Sequence, residues 1–204
     1  MINIDKKCAE YGFKVCDYPK KIYDMLNEEL AKLKEKGSTN IINDAKVIQG
    51  NVADSLPDEV KNFNEYVEIE VLKRIISDAE RIQKTEKSDE EKIEEFTKER
   101  KFSSFANECE NSLRKVLGIL SREGVFASII WIESKEDEES YRAIKYQISK
   151  FLHEIFRDSR FSGNPDNLRE EILSVCNDIS QMFFVKQILE QTLTYALYRA
   201  RSLG

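Results

Sequence analysis

Residues Ser121–Lys135, SREGVFASIIWIESK, decide how this chain is read. Gly124 opens a dense apolar run that carries the only tryptophan, Trp131, and the acidic residues Glu136, Asp137, Glu138 and Glu139 close it. The run Val125 to Ile132 makes about two turns of helix and leaves only a narrow polar strip. It therefore predicts a helix enclosed by a larger body, with Trp131 in the core.

The same periodicity extends outward. Upstream, Phe102, Phe105, Ala106, Cys109, Leu113, Val116, Leu117 and Leu120 form a wide apolar face on a helix that reaches Arg122 and breaks at Gly124. Downstream, a helix is predicted from about Asp137 to Phe161, stopped by Gly163 and Pro165, and Asn164 or Asp166 offers a cap for the next. A last helix, Ile179 to about Ser202, carries Phe183, Phe184, Ile188, Leu189, Leu193, Ala196 and Leu197. Toward the N-terminus, Ile4, Cys8, Tyr11 and Val15 predict a short amphipathic helix over residues 4–17, slightly weakened by Gly12. Pro19 suits the first turn of a second helix that ends at Gly37. Residues 38–56 read as a loop with at most one short element, and another helix is predicted around Val67 to Lys84. The charged stretch 84–100, anchored only by Ile93 and Phe96, reads as a solvated helix or a linker.

Composition agrees with this pattern. Hydrophobic residues make up 41% of the 204 and charged residues 34%, with only 7 glycines and 3 prolines, which suits long charged helices rather than turn-rich sheets. The expected fold is all-α, a compact helical bundle of about five core helices with an additional helical insertion. Residues 1–18 and 96–204 are assigned to the core, and residues 19–95 to a helical insertion or extension with a flexible linker near 38–56.

Several function classes recede. No two of Cys8, Cys16, Cys109 and Cys176 have CxxC spacing, and His153 is the only histidine, so a four-ligand zinc site is not expected on this spacing and there is no HExxH pair. Phosphate-binding GxxxxGK[ST] loops and GxSxG elbows are absent from the sequence as well. The expectation is a noncatalytic protein without cofactor or metal. MINIDKK does not read as a secretion signal, and no run approaches the roughly 18 apolar residues of a membrane span, which points to the cytoplasm. The formal net charge of −6 opposes general nucleic-acid binding, but residues 101–204 hold 14 basic and 15 acidic side chains and leave room for a local basic surface.

One such surface is predicted on the helix from Asp137. Arg142, Lys145, Ser149, His153, Arg157 and Arg160 fall within about 60° of one line at 100° per residue, opposite Ile144, Ile148, Phe151 and Ile155. Tyr146 lies within the stripe and Lys150 flanks it. Cations with an interleaved aromatic suit a sugar-phosphate backbone, and an ordinary solvated helix face is the alternative.

Three segments carry a family resemblance. IDKKCAEYGFKVCDY resembles the first helix of the small all-α subunit of type III-B (Cmr) CRISPR effector complexes. KFSSFANECENSLRKVLGILSREGVFASIIWIESK is similar to that family's second helix, its central asparagine-glycine-leucine, its apolar run and its serine-lysine pair, and FVKQILEQTLTYALYRARSL is similar to its closing helix. Glu123 and Val125 stand where the family commonly has asparagine and leucine, and residues 19–95 have no counterpart. The resemblance implies a noncatalytic subunit of a crRNA-guided ribonucleoprotein, lying beside the large polymerase-like subunit and other effector subunits, where it lines the channel of the crRNA and target RNA. Base pairing would read sequence while the protein supplies backbone contacts. Lys135 of the serine-lysine pair then joins Arg142, Lys145, Lys150, His153, Arg157 and Arg160 as candidate RNA contacts. A helical interaction adaptor without nucleic acid is the alternative.

Overall fold

Apolar residues three and four apart need a partner surface to cover them, and here that surface is supplied by other helices. The computed structural model describes residues 3–157 and 160–204. Among them are α1 (Ile4–Lys36), α2 (Ile41–Ser55), α3 (Asp58–Val67), α4 (Glu70–Gln83), α5 (Asp89–Phe96), α6 (Ser103–Glu123), α7 (Val125–Glu133), α8 (Glu139–Phe156), α9 (Leu168–Val175) and α10 (Ile179–Leu203). A single 3-10 turn, Pro165–Asn167, precedes α9, and no strand occurs among the described residues. The fold is all-α. No described helix is long and apolar enough to cross a membrane.

The chain divides into two compact units, one made of Met1–Asp17 and Ser103–Gly204, the other of Tyr18–Phe102. In the first, α6 packs along α10 and also against α7 and α8, while α7 meets α8 and α9. Cys8, Val15 and Cys16 of α1 join Cys109, Leu113, Val116, Ile129, Ile132, Ile144, Phe151 and Leu193 in the buried core. Gly12 is the close-approach point between α1 and α10: a Cβ there would lie 2.4 Å from the Thr192 carbonyl oxygen and 2.9 Å from the Ala196 nitrogen. Gly124, at φ 93°, supplies the left-handed turn that separates α6 from α7.

The second unit contains the rest of α1 together with α2 to α5. Contrary to the loop expected over 38–56, α2 is a helix capped by Asn40, whose side chain accepts the Asn43 N–H at 3.2 Å. Its buried residues Ile41, Ala45, Ile48 and Val52 keep a helical period that the surrounding Asn, Asp and Gly obscure. The charged stretch is also ordered, because Ser88 and Glu91 form a capping box at the start of α5 and Phe96 is fully buried at its end. The Asn27 side chain then holds the Arg100 backbone at both N–H and carbonyl, at 2.7 and 3.0 Å.

Pro19 does not start a new helix. It lies inside α1, where it removes one i to i−4 hydrogen bond. Such a residue costs about 3 kcal/mol in an isolated helix, yet Val15 and Cys16 before it and Ile22 and Tyr23 after it are all buried. Packing on either side outweighs the local defect.

Candidate nucleic-acid interface

The basic stripe expected on α8 is not a solvated face. Lys145 is 3% exposed, and its ammonium lies 3.2 Å from Glu133 and also pairs with Glu136. Arg169 meets the other oxygen of Glu133 at 2.6 Å, so the charges of this cluster are consumed internally. Ser149 and Tyr146 are buried as well. The reason is the number of neighbours, since α6, α7 and the 3-10 segment all pack on α8 and leave little of its circumference for solvent.

The stripe is also shorter than expected. α8 ends at Phe156, with Arg157 in the left-handed conformation at φ 49° and its N–H bonded to the His153 carbonyl at 3.0 Å. Arg160 therefore lies beyond the helix, stacked 4.9 Å over the Phe156 ring and hydrogen-bonded to Gln181 at 2.6 Å. Arg142 folds back to donate to the carbonyls of Glu136 and Asp137 at 2.6 and 3.1 Å. The His153 Nδ1 donates to the Phe161 carbonyl at 2.6 Å, Arg157 lies 3.3 Å from Glu154, and Lys150 sits 5.2 Å over the Tyr146 ring. These groups are spread from Arg142 in the first turn of α8 to Arg157 and Arg160 beyond its end. They do not form one row.

The remaining candidate, Lys135, falls in a different place. It lines an open groove of about 820 Å³ between α6 and α7, together with Lys115 and Arg122 of α6. The floor is apolar, built from Ile119 of α6 and Ala127, Ile130 and Trp131 of α7. Ile130 is 40% exposed and Trp131 is partly exposed, so the indole expected in the core instead forms part of a surface concavity. Its N–H is nevertheless buried and lacks a hydrogen-bond partner among the described residues. Arg122 donates to the Gly118 carbonyl at 3.1 Å. Neither Lys115 nor Lys135 has an ion-pair partner among the described residues, whereas Lys7, Lys14, Lys20, Lys32, Lys73 and Lys145 each face a carboxylate. Among the described residues, Glu123 is the single acidic one on the groove.

Sequence reading passed over Lys115 and Arg122, although the signal was present. Lys115, Ile119 and Arg122 are spaced i, i+4, i+7 on α6, and Ala127, Ile130, Trp131 and Ser134 repeat i, i+3, i+4, i+7 from the start of α7. Two adjacent helices thus each place one mixed face on the same side of the Gly124 turn. The result is a cationic rim above an apolar floor.

Among the described residues no group of three or more His, Cys, Asp or Glu side chains is placed to hold a metal ion. Burial pushes the Cys8 and Cys109 thiols above the ordinary thiol range, which keeps both protonated near neutrality. No family model matches the chain, and neither a curated protein nor a solved structure matches it.

Proposed function

We propose that the chain is a noncatalytic small subunit of a type III CRISPR RNA-guided ribonucleoprotein, lining the channel of the crRNA and target RNA beside the large polymerase-like subunit. The observation that carries the reading is the α6–α7 groove, where Lys115, Arg122 and Lys135 surround an apolar floor in a chain of net charge −6. Lys115 and Lys135 have no ion-pair partner among the described residues and are available to phosphates, and such contacts supply affinity without sequence preference. The resemblance of the α1, α6–α7 and α10 segments to the Cmr small subunit supports the same reading. In it, the RNA contact moves from α8 to the groove, and Lys135 is the residue common to both. The competing reading, a helical adaptor without nucleic acid, draws support from the aliphatic floor at Ile119, Ala127 and Ile130.

The test is recovery of the tagged chain from its native cell, followed by sequencing of bound RNA and identification of associated proteins. Short guide-length RNAs together with a large polymerase-like protein support the proposal. The triple variant K115E/R122E/K135E is expected to lose the RNA and to flatten the dependence of binding on salt. Recovery of protein partners with no RNA would replace the proposal with the adaptor reading.

A further inference from the structure

We infer that the α6–α7 groove takes an unpaired base of single-stranded RNA, laid against the exposed part of the Trp131 indole, with the flanking phosphates at Lys115, Arg122 and Lys135. The inference rests on the RNA-contact reading above and narrows it to those stretches of crRNA or target RNA that are not paired with each other.

The shape of the groove carries the argument. In a duplex the base faces are covered by their neighbours, so only phosphates and groove edges are offered to a protein. An apolar concavity adds nothing to such a contact. A single strand, by contrast, presents free base faces, and aromatic platforms beside a cationic track are how proteins hold it. The volume of about 820 Å³ is within the roughly 300–1,000 Å³ of small-ligand pockets and is ample for one nucleotide.

The orientation of Trp131 fits this use. Its N–H is buried, so the part of the ring that reaches the groove is carbon, flanked by the exposed Ile130 and by Ile119 and Ala127. Such a surface favours a flat, weakly hydrated face over a hydrogen-bonded edge, which suits any of the four bases. Lys115 and Arg122 lie about 10 Å apart along α6, two turns of one helix face. Lys135 stands just past the end of α7, so the cations bracket the floor from both helices. An acidic amphipathic peptide is the rival occupant, but it would need a row of apolar anchors, whereas the floor is a single short patch.

Because Trp131 is the only tryptophan, its fluorescence reports the groove directly in the unmodified full-length chain. The experiment titrates the protein, at about 50 mM salt where phosphate contacts are strong, with a 12-nucleotide single-stranded oligoadenylate, with an RNA duplex of the same length, and with an acidic amphipathic peptide. Each is end-labelled with a dye, so that anisotropy of the label gives the affinity and Trp131 emission reports the groove. Expected are quenching of Trp131 by the single strand and not by the duplex, and single-strand affinity about tenfold weaker in W131L. The salt slope of W131L should stay unchanged, because the phosphate contacts remain, and its circular dichroism should match that of the unaltered chain, which separates a lost platform from a lost fold. Equal binding of single strand and duplex with an unmoved Trp131 spectrum overturns the inference and leaves the RNA-contact reading standing. If neither RNA binds, both fall. A response to the peptide alone assigns the groove to a protein partner and overturns the inference.

Discussion

Gly12 and Gly118 both sit in the interior of long helices, and replacing each with alanine tests whether packing or propensity governs the first unit. On propensity alone both substitutions stabilise by up to about 1 kcal/mol. At Gly118 nothing lies within 4 Å of the new Cβ, so that gain stands. At Gly12 the new Cβ falls 2.4 Å from the Thr192 carbonyl oxygen and 3.0 Å from the Tyr195 Cβ, and most of what it meets is backbone of α10 that cannot rotate away. The helices must separate by several tenths of an ångström, at an overpacking cost of about 1–3 kcal/mol or more. A net loss of about 2 kcal/mol follows for G12A. With a urea slope of about 2 kcal/mol/M, the midpoint falls by roughly 1 M for G12A and rises by roughly 0.5 M for G118A. Trp131 lies in the same unit as both glycines, so its fluorescence follows the relevant transition. A midpoint that rises for G12A refutes the close approach of α1 and α10.

Two further predictions concern charge. K145A removes the cation between Glu133 and Glu136 and leaves Glu133, largely buried, with Arg169 as its one ion-pair partner among the described residues; a loss of about 3 kcal/mol is expected in chemical denaturation. A change under 1 kcal/mol would mean the cluster is solvated. Glu110 is held below the usual carboxylate range by its hydrogen bonds to Arg114 and then to Arg201. Because the folded value is the lower one, its stabilising contribution is present above the unfolded carboxylate value, near 4.3, and is lost as pH falls through the folded value. The stability difference between the unaltered chain and E110Q should therefore shrink as pH drops from 7 to 3, and a difference that grows would contradict the pairing.

The helical class was legible because long apolar stripes survive any arrangement of neighbours. Gly124 marked a real break, and the spacing of Cys109, Leu113, Val116 and Leu120 named one face of α6 before any partner was known. What periodicity does not contain is the number of neighbours around a helix. α8 has a polar stripe by sequence, but Glu133 and Glu136 that neutralise Lys145 come from the preceding segment, and no pattern within α8 announces them. At α7 the apolar run is buried at Val125, Ile129 and Ile132 as its composition predicts, but Ile130 and Trp131 form part of the floor of an open groove. In α2 the apolar period was intact and short turn-forming residues masked it. Pro19 misled for a different reason, since a proline that would end an isolated helix is tolerated where both flanking turns are buried.

The enclosure of Lys145 has a practical consequence for chemistry on the intact protein. An amine-reactive reagent at neutral pH should modify Lys115 and Lys135 in the native state, and the proposed function predicts that their labelling falls when RNA is added. Lys145, shielded between two carboxylates, should acquire the same tag only after the first unit opens. One digest and mass measurement would then report occupancy of the groove at two lysines and integrity of the fold at a third.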